Sequence, residues 1–167
     1  MRAMALLALG AMGGVPEAAS PATATRDASP LAGTWTLVAA ERELPDGRVV
    51  EDYGASPHGR LCIDGRGRYA LQLYRSERVR FGRDDKAAGT AAEFRDAMLG
   101  ASVHYGTVDV DAAGGSLVFR IEGAAFPNWE GTIQRRDYTL EGDVLRYRVP
   151  PRADGTVPVS VWRRIAP

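Results

Sequence analysis

One alternating stretch of the chain contains the polar side chains best suited to bind or transform a small molecule. Gln134, Arg136 and Tyr138 follow one another at intervals of two residues, and Leu140 continues the series. In a β-strand, residues two apart point to the same face. The apolar Leu140 and the ring of Tyr138 indicate that this face is the interior one. The spacing therefore predicts that an amide, a guanidinium and a phenol point into the core.

Arg136 sets the chemistry of this face, because a buried charge without a partner is strongly unfavourable. Its guanidinium must meet a carboxylate such as that of Glu122, water at the mouth of the fold, or an acidic or carbonyl group of a ligand. Buried charges in proteins are mostly paired for structural reasons. The ion pair and the solvated mouth are therefore the commoner arrangements, and a ligand anchor is the functional alternative.

His104 is the second candidate for chemistry. It shares a predicted strand face with Val108 and Val110, so the imidazole is expected to point inward. Such a histidine is a candidate general base, but a buried histidine is more often a hydrogen-bonded core residue. Neighbouring strands would supply the facing walls of a largely apolar small-molecule site. The candidate wall residues are Tyr69, Leu71, His104 and Val108.

No familiar catalytic or metal-binding motif accompanies these residues. The sequence has no nucleophile elbow, phosphate loop, zinc motif or dinucleotide fingerprint, so neither a cofactor nor a metal is expected. The two histidines, His58 and His104, lack metal-ligand spacing. Cys62 is the only cysteine, which excludes an internal disulfide. Its neighbours Leu61 and Ile63 predict a strand and a buried, inert thiol.

The elements that position these residues are short strands joined by tight turns. Period-two alternation begins with Trp35, Leu37 and Ala39 on one face. Three hairpins follow, with turns rich in Asp and Gly. The other predicted strands cover 49–53, 61–63, 69–74, 103–110, 117–121, 132–140, 144–149 and 156–165.

One short helix interrupts the strands. Thr90 and Glu93 have the spacing of a capping box, in which each side chain accepts a hydrogen bond from the other residue's backbone amide. Apolar residues follow at helical spacing, and Gly100 can end the helix. We therefore predict a helix from about Ala91 to Leu99.

Eight or nine strands in consecutive hairpins predict an all-β fold. A single antiparallel, up-and-down β-barrel removes the exposed sheet edges, and an eight-stranded barrel is just wide enough to enclose one small ligand. An open β-sandwich is the alternative that composition leaves open.

The composition fits one globular domain without a polyanionic partner. The chain has 167 residues, of which 45% are hydrophobic, a size typical of a single domain. Lys and Arg number 21, and so do Asp and Glu. A balanced charge gives no general attraction to nucleic acid or to an anionic membrane surface.

The amino-terminal residues have the pattern of an export signal. Arg2 precedes an apolar run over 3–15, and Ala22-Thr23-Ala24 fits a small-x-small cleavage site. The run is too short to span a membrane. We predict a signal peptide over 1–24, a flexible lead-in over 25–30 and one domain over 31–167. The protein would then be secreted or periplasmic; an Ala- and Gly-rich tail on a cytoplasmic protein is the alternative.

Several stretches resemble the bacterial and fungal lipocalin-like domain family, and together they extend from Leu31 to about Ile165. The most specific is the Phe-Pro-Asn-Trp-Glu-Gly-Thr run, and Leu-Ala-Gly-Thr-Trp matches the Gly-x-Trp start of a lipocalin first strand. At His104 and Val108 the chain departs from the aromatic residues expected there. The matching stretches are 31–35, 67–75, 104–107, 126–138 and 161–164.

The resemblance implies a lipocalin-like barrel that holds a small molecule. It implies that Trp35 closes one barrel end and that Arg163 or Arg164 packs across the indole, a favourable contact for a guanidinium. The segment 126–129 is either a lid over the barrel mouth or a structural corner.

Two functions are compatible with these observations. The first is binding of a small hydrophobic or amphipathic ligand inside the barrel, without catalysis. The second is an isomerase, cyclase or dehydratase acting on a small organic metabolite, with His104, Tyr138 and Arg136 around one pocket. The second requires that these three side chains converge on a shared void.

Overall fold

The computed structural model describes residues 28–167. The predicted signal peptide and lead-in residues 25–27 lie outside the described residues. The described part contains nine strands and one α-helix. In chain order they are β1 (Gly33–Glu43), β2 (Val49–Glu51), β3 (His58–Ile63), β4 (Arg68–Tyr74), α1 (Ala91–Leu99), β5 (Ala101–Asp111), β6 (Ser116–Ala124), β7 (Ile133–Glu141), β8 (Val144–Arg148) and β9 (Val157–Ala166).

Eight of these strands form a closed antiparallel barrel. Each strand from β3 to β9 pairs with its neighbour in sequence, β1 pairs with β3, and β9 returns to pair with β1. The short β2 adds to the end of β1, where Glu41 lies opposite Glu51. The prediction of a single up-and-down barrel of eight to nine strands with one short helix is therefore confirmed.

The barrel has two different ends. At the closed end, tight turns join β3 to β4, β5 to β6, and β7 to β8. At the open end, longer connections cover 44–57, 75–100, 125–132 and 149–156. Because loops tolerate more sequence variety than strands, the open end is where a site can be built without disturbing the barrel.

Trp35 fills the closed end. Its side chain is fully buried, and its indole Nε1 donates a hydrogen bond to the Leu31 carbonyl at 3.0 Å. The Arg164 guanidinium lies over the indole, 4.2 Å from the ring centroid. Arg163, the other residue considered for this role, is exposed. The structure therefore places Arg164 against the indole.

Arg164 also links the closed end to the chain that precedes β1. Its guanidinium donates to the carbonyls of Ala32 and Pro30, the latter at 2.9 Å. Its Nε lies 3.3 Å from a carboxylate oxygen of Asp143. One side chain thus stacks on the indole and satisfies two backbone acceptors, a combination for which the planar guanidinium is suited.

Two register shifts interrupt the regular pairing of the strands. A register shift between Leu37 and Ala39 breaks the alternation of β1, so Ala40 is buried and Ala39 is not. The expectation that Ala39 continues the Trp35 face is wrong for this reason. A second shift lies between Tyr105 and Gly106, where an added Cβ at Gly106 would collide with the Arg120 carbonyl.

Cys62 is exposed, so the prediction of a buried thiol is wrong. Leu61 and Ile63 are both buried in the barrel interior. Because side chains alternate along a strand, the residue between them must point outward.

The helix forms where the capping box predicts it. The Thr90 hydroxyl accepts from the Glu93 amide at 3.3 Å, and the Glu93 carboxylate accepts from the Thr90 amide at 2.7 Å. The helix spans Ala91–Leu99 and is followed by Gly100. None of its residues is buried, so α1 lies on the barrel without adding to its core.

Candidate functional site

A cavity of about 520 Å³ opens at the open end of the barrel. Four of the seven predicted ligand-binding residues line it: Leu71, His104, Gln134 and Arg136. We call this space the barrel cavity. Its volume is in the range of sites for small molecules.

The other three predicted residues do not line the barrel cavity. Tyr69 and Val108 are buried in the core, and Tyr138 packs against that core. All three lie toward the closed end of their strands, below the cavity floor. Alternation assigned their face correctly, but it contains no information on height along the barrel axis.

Several lining residues were not expected from the sequence. Most belong to the loops at the open end, where no periodic pattern marks a side chain as inward-facing. Trp129 is the exception, because it belongs to the Phe-Pro-Asn-Trp-Glu-Gly-Thr run noted in the sequence. It lies in a short 3₁₀ turn over Pro127–Trp129. The segment supplies one wall of the cavity through Trp129. The unpredicted lining residues include Tyr53, Leu73, Ser102, Trp129, Tyr147, Val149, Pro150, Pro151, Arg152 and Ser160.

Arg136 is almost completely buried, with 3% of its surface exposed. Its guanidinium carbon lies 4.0 Å from the Phe119 ring centroid and 5.0 Å from that of Tyr147. Nη2 donates to the Gln134 side-chain oxygen at 2.8 Å and faces Nε2 of His104 at 3.4 Å. Nε is buried without a hydrogen-bond partner in the described part of the chain.

In the part of the chain that the structure describes, no carboxylate forms an ion pair with this guanidinium. None of the ion pairs formed within residues 28–167 includes Arg136. The ion pair with Glu122 that the sequence allowed does not form, and Glu122 is exposed. The aromatic faces of Phe119 and Tyr147 stabilise the cation in part, but they supply no opposite charge.

His104 is buried between Arg136 and Tyr69. Its Nδ1 lies 2.7 Å from the Tyr69 hydroxyl oxygen, and the ring of Trp129 meets the imidazole edge-on at 5.9 Å. A guanidinium can only donate, so Nε2 is the acceptor toward Arg136 and Nδ1 holds the proton that is donated to Tyr69. The ring is thereby fixed in one orientation and one tautomer.

Burial and the positive charge of Arg136 lower the pKa of His104 from its ordinary 6.5 to about 3. The imidazole is therefore neutral near pH 7. Burial also raises the pKa of Tyr69, so its phenol stays protonated. An efficient general base has a pKa near the working pH, and His104 does not meet that condition. With Tyr138 outside the cavity, the proposed catalytic group of three does not assemble.

A second cavity of about 480 Å³ adjoins the first, and we call it the vestibule. The two share Tyr53, Trp129 and Arg152 in their walls. Charged and apolar residues both line the vestibule. The charged residues are Arg42, Asp52, Arg75 and Arg152, and the apolar residues include Met98, Leu99, Val103, Phe126 and Trp129.

An ion pair joins two loops at the boundary between the cavities. The Arg152 guanidinium donates to both carboxylate oxygens of Asp52, at 3.1 and 2.6 Å. Asp52 belongs to the connection over 44–57, and Arg152 to the one over 149–156. Two-point contacts of this kind hold their partners in a defined geometry. The ion pair therefore fixes the loop 44–57 against the loop 149–156 at the boundary between the two cavities.

Within residues 28–167, no group of three or more His, Cys, Asp or Glu side chains is arranged to hold a metal ion. None of the helices described there has the length and apolar character needed to cross a membrane.

Comparison with known proteins gives one match. A family model described as a lipocalin-like domain matches residues 32–165. No curated protein and no solved structure matches the chain.

Proposed function

We propose that this chain, which belongs to the lipocalin-like domain family, binds a small, largely apolar molecule with an acidic group in its barrel cavity. The barrel is a container by architecture, since an eight-stranded barrel can enclose one ligand. The single observation that supports the acidic group is Arg136, buried at the cavity wall with no carboxylate partner in the described chain.

The partners of Arg136 leave its charge uncompensated. Gln134 and His104 are neutral groups, and both contact the same nitrogen, Nη2. Nη1 makes no hydrogen bond within residues 28–167. A planar acid at the cavity wall would accept a charge-assisted hydrogen bond from the guanidinium and supply the missing negative charge.

The neighbouring residues favour an ordered site for that acid. Tyr69 holds His104, and His104 contacts Arg136, so the guanidinium is oriented before a ligand binds. Leu71, Leu73 and Val149 line the same cavity and provide apolar contacts for the remainder of the molecule. A few directional polar groups in an apolar cavity are typical of small-molecule sites.

Arg136→Met is expected to weaken binding of octanoate about 10- to 100-fold, the usual effect of losing a hydrogen bond to a charged group. Binding of 1-octanol should change much less, because it has no charge to pair. Displacement of a fluorescent apolar anion, 1-anilinonaphthalene-8-sulfonate, from the purified protein measures both affinities. Methionine preserves most of the side-chain volume, so the barrel should remain folded.

Arg135→Met is the matched control. Arg135 is the next residue on β7, but it points outward and pairs with Asp111 at 3.0 Å. The Arg135→Met variant should bind octanoate with the affinity of the unmodified protein. The proposal is wrong if Arg136→Met retains full octanoate affinity, or if it unfolds the chain yet binds normally whenever folded. Either result would make Arg136 a structural residue.

We also propose that the protein is exported and that its mature form begins at Thr25, because Ala22-Thr23-Ala24 follows an apolar run of signal length. Amino-terminal sequencing of the protein from its native host is expected to begin at Thr25. Recovery of the chain with Met1 intact from the cytoplasm would contradict export.

A further inference from the structure

We infer that the vestibule is a second acid-binding subsite, so that the ligand is an elongated diacid with an apolar middle. One acid would lie at Arg136 in the barrel cavity and the other at Arg42 in the vestibule. This inference rests on the proposed function, and it adds the second acid and the length of the molecule.

The two cavities are placed to hold one molecule. They share Tyr53, Trp129 and Arg152 as common walls. Each cavity alone has the volume of a small-molecule site. Because the cavities adjoin at Trp129, a ligand anchored at Arg136 that extended past this residue would reach the vestibule.

Arginines outnumber acidic residues in the lining of the vestibule. Arg42, Arg75 and Arg152 line it, and Arg75 pairs with Asp96 at 3.0 Å. Both carboxylate oxygens of Asp52 accept hydrogen bonds from Arg152. Three arginines therefore line the vestibule with one carboxylate, that of Asp52, whereas Asp96 and Asp154 lie near these arginines but outside the lining.

Arg42 is the cation with the weakest pairing. Its Nε lies 3.7 Å from an Asp52 oxygen, beyond hydrogen-bonding distance, and that Nε is buried without a hydrogen-bond partner in the described chain. The side chain is 34% exposed and lines the vestibule. An acid here would gain a charge-assisted hydrogen bond without displacing an existing one.

The apolar residues of the vestibule explain why the middle of the ligand is apolar. Met98, Leu99 and Phe126 are 43%, 55% and 41% exposed, and all three line the vestibule. Large apolar side chains grouped at a cavity indicate a binding surface. A compact polyanion would leave them in water, whereas a chain or ring between two acids would cover them.

The test compares acids of equal length with one or two carboxylates, from octanoate and octanedioate to hexadecanoate and hexadecanedioate. Displacement of 1-anilinonaphthalene-8-sulfonate from the full protein gives each affinity. Once the chain is long enough to reach Arg42, the diacid is expected to bind about tenfold more tightly than the monoacid. This comparison uses the unmodified protein and so does not depend on any variant folding.

Two variants test whether Arg42 causes the tighter binding of the diacid. Arg42→Met should abolish the preference for the diacid, and it should weaken binding of the monoacid of equal length much less. Arg146→Met is the matched control, because Arg146 has a similar exposure but lies on the outer face and pairs with Glu41. The inference is overturned if no diacid binds better than its monoacid, or if Arg42→Met weakens both equally. Failure of every monoacid to bind would instead overturn the proposed function itself.

Discussion

Replacing Trp35 with alanine is expected to lower the free energy of unfolding by about 3–5 kcal/mol, the usual cost of removing a large buried aromatic side chain. The indole is fully buried at the closed end. Its loss would also remove the surface on which Arg164 stacks at 4.2 Å, and it would leave the Leu31 carbonyl without its donor. Chemical denaturation with linear extrapolation measures the change.

Trp129→Ala is the matched comparison. Trp129 is only partly buried and lies at the open end, so its replacement should destabilise the protein far less than that of Trp35. A loss below about 1 kcal/mol for Trp35→Ala would contradict the assignment of this indole as the plug of the barrel, since buried aromatic residues cost several times more.

Acid is expected to destabilise the protein, and His104 should account for about 3 kcal/mol of the loss between pH 7 and pH 4. Burial and the charge of Arg136 lower its pKa in the folded state to about 3, against 6.5 ordinarily. Between these two values the unfolded chain binds a proton that the folded chain does not. The His104 contribution to the free energy of unfolding therefore falls as pH falls through this window, and this contribution levels off below about pH 3.

His104→Gln isolates this contribution, because glutamine is similar in size and does not titrate in this range. Urea denaturation of both proteins at several pH values gives two curves. The carboxyl groups titrate in both, so the difference between the curves reports His104. We expect the variant to have the shallower dependence on pH. Parallel curves would show that the imidazole is already protonated, or accessible to water, in the folded protein.

Local patterns predicted most of the barrel, because each hairpin is encoded by its own alternation and its own Gly-containing turn. The helix was predicted to the residue, since a capping box such as that of Thr90 and Glu93 fixes a helix start. Closure depends on pairing between β1 and β9 at opposite ends of the chain. No short-range pattern specifies that pairing; the argument came from the need to remove sheet edges.

For the candidate site, alternation predicted only which strand residues face the barrel interior. Arg136 and Gln134 face inward as expected, because period two determines which face a side chain takes. It does not determine the position of a side chain along the barrel axis. Tyr138 and Val108 were therefore assigned to the barrel cavity, although they lie nearer the closed end. Tyr53 and Arg152 belong to irregular loops and were missed altogether. The lack of a carboxylate at Arg136 depends on the whole packed interior, which no single strand reveals.

Alternation was not applied at Cys62, where it would have given the correct exposure. The buried neighbours Leu61 and Ile63 require the intervening residue to face outward. General statistics favour burial of an isolated cysteine, but the strand geometry overrides that tendency. In β1, alternation was extended too far. It placed Ala39 on the face of Trp35, but the register shift near Ala39 ends the alternation that the sequence shows.

The position of α1 has a consequence for how such proteins diversify. Met98 and Leu99 help to form the vestibule wall, yet the helix has no buried residue. Substitutions at exposed positions usually change stability by about 0.5 kcal/mol or less. Sequence drift in this helix can therefore reshape the entrance while selection for a stable barrel acts elsewhere, on Trp35 and Arg164. Descendants of one ancestral barrel would diverge in ligand preference here first, without passing through poorly folded intermediates.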